Sequence, residues 1–315
     1  MGVRAFTVLA LAGATLLAGC DMPTRHAALT SPQPVARPQQ SVAPAAVNGT
    51  MSLGLVDYYG RLQAALLARG LLRTDPGGAD TPYGPRELVR NFQRIAFYEE
   101  YSDAGGKLVA QESASRLHRW DKPVRLTVEF GGAVPARNRA KDTAEVRRFA
   151  KQLSNASGHP VSVGDGGNFH VFFVSEDERR ALGPRLRQIM PGISSTALST
   201  VINMPRDTYC LAFATDPERD GTYSQAVAVI RAEHPDLMRA SCIQEEIAQG
   251  LGLSNDYPLA RPSIFNDDEE FGFLTSHDEY LLKMLYDRRL RPGMSETEAR
   301  PIVEDIAGEL IGGNV

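Results

Sequence analysis

After Cys20 the sequence has no apolar run approaching the length of a membrane-spanning helix, so only its first stretch is suited to meet a bilayer. There is no glycine-rich phosphate loop: Gly77-Gly78 and Gly131-Gly132 lack the neighbours of a P-loop or a dinucleotide fingerprint. No serine sits in a G-x-S-x-G elbow, which removes the commonest hydrolase arrangement. Basic residues are not in excess, and a formal net charge of -4 gives no reason to expect nucleic acid as a partner. Internal repeats are absent, and cysteine is scarce at three in 315 residues. What remains is an ordinary globular composition, 43% apolar and 23% charged, in a chain long enough for one domain with additions or two small domains.

The apolar stretch that is present opens the chain. Arg4 supplies a positive end, Ala5 to Leu17 a short apolar run, and Leu17-Ala18-Gly19-Cys20 follows. That tetrapeptide resembles a bacterial lipobox, which implies cleavage before Cys20 and lipid (palmitate-type acyl chains) on its thiol. Each buried methylene contributes about 0.8 kcal/mol, so several acyl chains together anchor stably. Asp21 resembles an inner-membrane retention signal. The expectation is a signal peptide over 1–20 and a lipoprotein of the cell envelope facing the periplasm. Residues 21–50, rich in Pro, Ala, Gln and Ser with no apolar period, read as a flexible tether. Cys210 and Cys242 remain; two thiols in an oxidising compartment favour a disulfide, the alternative being two separate buried thiols.

Residues 51–118 read as a helical layer. Apolar residues recur at helical spacing over Leu53–Leu72, a second helix starts near Pro85, and a third short one covers Val109–His118. The segment 119–315 reads as an α+β domain. Val124–Phe130 alternates with period two, Ala140–Leu153 is helical, and Asn168–Val174 is a strand with His170 as an ordinary exposed or sheet-face histidine. Tyr209–Ala214 and Tyr223–Ile230 are further strands. A helix opens at Pro235, another is capped by Thr275 or Ser276, and Glu296–Leu310 is the last.

The most informative stretch is Cys242–Asp256, CIQEEIAQGLGLSND. On a helix Glu245 and Gln249, four apart, share one face, and Gly252 can turn the chain so that Asn255 comes near. This spacing resembles H-E-x-x-H-x-x-G-x-x-H, the zinc-binding frame of the metzincin metalloproteases. Glu245, Gln249 and Asn255 stand at the three histidine positions, and Glu246 at that of the general base. Leu274-Thr275-Ser276-His277-Asp278 with Leu285-Tyr286 is similar to the segment opening the family's final helix. Ser263-Ile264-Phe265 resembles the Met-turn, with Phe265 in place of methionine. The resemblance implies a metzincin-like mixed sheet with a central helix and a returning C-terminal helix, preceded by the small helical layer. GLLRTDPGGADTPYG, RPSIFNDDEEFG and DRRLRPGM, with the lipobox and the central stretch, also resemble an uncharacterised family of proteobacterial lipoproteins, domain of unknown function family 2927. That likeness implies a location and an extent but no activity.

Ligand chemistry argues against zinc, which prefers imidazole and thiolate over amide oxygen. No cofactor is expected on these grounds. The acid-rich stretch 241–280 would suit a hard cation such as calcium, with Asp256, Asn266, Asp267 and Asp268 as its oxygen donors, against a solvated acidic rim as the plainer alternative. Three readings are open. One is a scaffold without catalysis that binds a peptide or protein segment or serves structurally. Another is an atypical metallopeptidase using Glu246 as general base and recruiting His277 or a harder metal. The last is the solvated side of an amphipathic helix.

Overall fold

The computed structural model describes the backbone of residues 51–103 and 108–312, with side chains throughout except over 100–112. The signal peptide, Cys20 and the tether over 21–50 lie outside the described residues.

The first helix, α1 (Leu53–Ala68), is capped by Ser52, whose hydroxyl accepts from the Leu55 N–H. Helix α2 (Pro85–Ala96) starts on a proline, and Glu87 reaches back to the Gly84 N–H. Here the expected third helix fails. Tyr98–Asp103 (β1) and Leu108–Ala114 (β2) form an antiparallel two-stranded sheet. Leu, Ala, Gln and Glu in the second strand favour a helix locally, but Gly105-Gly106 in the sequence is a turn signal, and pairing across the hairpin overrides propensity.

The main sheet has five strands: β3 (Val124–Phe130), β4 (Val161–Val163), β5 (Phe169–Val174), β6 (Cys210–Thr215) and β7 (Gln225–Arg231). Their order is β4-β3-β5-β7-β6, parallel except for β6, which runs antiparallel along β7 at the edge. Strand periodicity sorts two cores. Phe169, Val171, Phe173, Ala226, Ala228 and Ile230 face one side, and Phe172, Val174, Val227 and Val229 the other. The first side is covered by α3 (Ala136–Ser157), which Gly158 ends in the left-handed conformation. Three short helices follow β5, α4 (Glu176–Arg180), α5 (Gly183–Ile189) and α6 (Ser195–Ile202); α5 supplies Leu186 to the second side, and α6 supplies Leu198 and Val201.

Helix α7 (Asp236–Gln249) packs on the first core through Cys242, Ile243, Ile247 and Ala248. Cys242 is bonded to Cys210, the first residue of β6, so the expected disulfide joins the central helix to the edge strand. Helix α8 (Ser276–Leu285) opens on a capping box of Thr275 and Asp278, and α9 (Glu296–Gly312) closes the chain. The protein is therefore α+β, with a mixed sheet as expected. Among the described residues no helix is long and apolar enough to cross a membrane.

His170 is the sheet-face histidine of the two alternatives, not the exposed one. It is 7% exposed, and its Nδ1 lies 2.7 Å from Glu129 Oε1 on β3. Arg185 of α5 also donates to Glu129, at 2.8 and 2.9 Å. Burial would raise the Glu129 carboxyl, yet Arg185 and His170 hold it below its ordinary range.

Candidate functional site: a cleft between the edge strand and the central helix

A cleft of about 280 Å³ lies where the last turn of α7 meets β6. Leu211, Ala212, Phe213 and Ala214 line it from the edge strand, Gln249 and Gly250 from the helix, and Ala197 and Thr200 from α6. Its polar groups are Glu99, His118, Asp216, Tyr223 and Ser254. No other strand pairs with the outer edge of β6 among the described residues.

Chain segments far apart in sequence build the polar end. The segment Leu117–Trp120 is held by the Leu117 N–H donating to Met294 O, Arg119 N–H to Gly221 O, and the Trp120 indole to Gly250 O at 2.8 Å. It carries His118, whose Nε2 is 3.5 Å from Asp216 Oδ2 and whose ring stacks on Tyr223 with an 11° interplanar angle. Asp216 begins the turn after β6 and accepts the Gly221 N–H at 2.7 Å. Burial pushes ionisation of the Tyr223 hydroxyl well above its ordinary range, offset only in part by the Ser254 side chain. Gly252 enforces the junction. Its φ is +122°, and a Cβ there would stand 2.1 Å from the His118 carbonyl oxygen. No sequence pattern announced His118, Asp216, Tyr223 or Glu99; only the DPERDG turn signal lay close by.

The sequence-derived frame is only partly assembled. Gln249 lines the cleft and donates from Nε2 to Asp256 Oδ1 at 3.3 Å. Glu245 lies one turn earlier, half-buried. Asn255 is 1% exposed and turned into the core: its Nδ2 donates to Arg94 O at 2.8 Å and its backbone N–H to Ile95 O, capping the end of α2. Glu246 is 4% exposed and does not line the cleft. The donor set therefore does not fit zinc: one amide is committed to a helix end, another to a carboxylate, and neither is a ligand that zinc favours.

His277 is fully buried under Tyr83, with Nε2 3.1 Å from Asn91, and cannot serve the cleft. Beside it Asp278 accepts from Ser263 Oγ at 2.6 Å, the Ile264 N–H and the Thr275 N–H, clasping the turn Ile264–Asn266 to α8. Phe265 at the Met-turn position is fully buried core. In the acid-rich loop, Asn266 is buried and accepts the Asp268 N–H, while Asp268 accepts that of Glu270. Burial, with Asp267 and Asp268 adding repulsion, pushes Glu269 up to about 7. Among the described residues no cluster of three or more His, Cys, Asp and Glu side chains is arranged to hold a metal ion.

A family profile described as "Protein of unknown function (DUF2927)" matches residues 85–305. The chain belongs to that family. The matched segment contains both walls of the cleft and every residue of its polar end, while α1 lies before it. Neither a curated protein nor a solved structure matches the chain.

Proposed function

We propose that this member of the family is a lipid-anchored envelope protein, facing the periplasm, whose metzincin-like scaffold binds rather than catalyses. An extended segment of a partner protein lies in the cleft and adds to the outer edge of β6. The observation that carries this reading is an unpaired sheet edge forming one wall of a preformed cleft. Such an edge presents backbone donors and acceptors in a row, while the opposite wall sorts side chains. Three further features support it: Leu17-Ala18-Gly19-Cys20, the order of strands, central helix and returning helix, and a frame whose amides are committed to structural bonds.

Two experiments test it. Cys20→Ser is expected to release the protein from washed membranes and abolish lipid labelling; retention overturns the anchor. Detergent-solubilised full-length protein is then offered a library of extended peptides. Binding without cleavage, abolished by Ala197→Trp filling the cleft, is the expected result. Stoichiometric metal by elemental analysis, with peptide cleavage that Glu246→Gln removes, would instead establish a metallopeptidase with Glu246 as general base.

A further inference from the structure

We infer that the cleft selects a partner segment carrying a basic side chain, arginine or lysine, which it takes into its polar end; this rests on the edge-strand reading above. Among the described residues the lining contains two carboxylates, Glu99 and Asp216, and neither lysine nor arginine. The carboxylates belong to different elements, β1 and the turn after β6, so the cleft between them is negative on two sides. Asp216 is held in place by the Gly221 N–H at 2.7 Å and by His118, and its side chain is 9% exposed. Glu99 is exposed at the rim and tied to Ser115 Oγ at 2.9 Å.

The walls suit the remainder of such a side chain. Ala197, Ala212 and Ala214 leave room for an aliphatic stem, and Leu211 and Phe213 give it apolar surface. The stacked pair of His118 and Tyr223 places aromatic surface beside Asp216, where a guanidinium or ammonium gains a cation–π contribution. Competing cations stand outside. Arg116 donates to Gly293 O, and Arg219 lies on the exposed turn; both line a separate shallow depression that shares His118 and Asp216 with the cleft. An acidic side chain would be repelled by both carboxylates. A neutral one of the same length would keep the stem contacts and forgo the charge-assisted hydrogen bonds.

The test is a positional-scanning library of extended peptides on detergent-solubilised full-length protein, with arginine, citrulline and glutamate exchanged at each position. One position is expected to prefer arginine over citrulline by about tenfold at low salt, with glutamate weaker still. Raising salt and either Asp216→Asn or Glu99→Gln should each shrink that ratio. Asparagine keeps an acceptor for the Gly221 N–H, and the rim residue Glu99 is a second variant should Asp216→Asn misfold. Peptides that bind with no preference for a basic residue, or with one that neither variant reduces, overturn this inference and leave the edge-strand reading standing. Absence of binding by every peptide overturns both.

Discussion

His234 should make the protein acid-sensitive in a range where most of its carboxylates are still ionised. Its imidazole is 2% exposed beneath Tyr59 of α1, with ring centroids 4.3 Å apart, and Nε2 donates to Tyr209 O at 2.8 Å. Burial, reinforced by Arg231 and Arg239 and opposed by the Tyr209 carbonyl, pushes it from 6.5 down to about 3. A base held below its unfolded value contributes stability that is fully present above that value and is lost as pH falls toward the folded one. Between about pH 7.5 and about pH 5 the loss is about 2 kcal/mol. Four acids act the other way: burial raises Asp142, Glu233 and Asp267, and raises Glu269 to about 7, so all four favour the folded state as pH falls. The informative quantity is therefore a difference. The pH profiles of urea-unfolding stability of the wild type and of His234→Gln, which retains a donor for Tyr209 O but does not titrate, should diverge by a total of about 2 kcal/mol over this interval. Parallel profiles would refute a buried neutral imidazole.

Other outcomes follow from the same geometry. Glu176 joins Arg179, Arg180 and Arg231; burial would raise it, but these guanidiniums hold it down to about 2. Glu176→Gln leaves two fully buried arginines without their counter-charge and should cost about 3–5 kcal/mol by chemical denaturation, whereas a cost under about 1 kcal/mol would show the cluster to be solvated. The Cys210–Cys242 bridge closes a 32-residue separation, so reduction or double alanine substitution should destabilise by about 3–4 kcal/mol; two alkylatable thiols in the native, unreduced protein would remove the bond. Gly252→Ala meets both a positive φ and the His118 carbonyl, and should cost more than about 1 kcal/mol while weakening peptide binding, the latter being the part a simple packing defect elsewhere would not produce.

Much of the fold was legible where local signals and tertiary demands agree. Alternation over Val124–Phe130 and Phe169–Val174, a cap at Thr275 or Ser276 that the structure resolves to Thr275, and the stripe of α7 have a local cause, while the pairing of the last two cysteines follows from an expected oxidising compartment. The β1–β2 hairpin was not legible, because helix-favouring residues in Leu108–Ala114 yield to a cross-strand partner that composition does not reveal. For the site, the frame of Glu245, Gln249 and Asn255 gave the correct turn but not the correct facing. Spacing brings Asn255 back, yet the open carbonyls at the end of α2 claim its amide. The polar end was invisible because His118 and Asp216, far apart in sequence, are brought together by bonds around Gly221 and the close approach of Gly252, which no local pattern encodes.

The cystine between β6 and α7 has a mechanical meaning for the cleft. It pins the two walls together at the first residue of the strand, while the polar end lies beyond the strand's last residue, at Asp216. Strand β6 is also paired with β7 along its whole length and the far end is tied by the Trp120 indole to Gly250 O, so the bond acts with these contacts to set the width of the gap at both ends. Much of the ordering needed to hold strand and helix at a set spacing is completed when the bond forms, so a segment bound as proposed would meet a cleft already shaped.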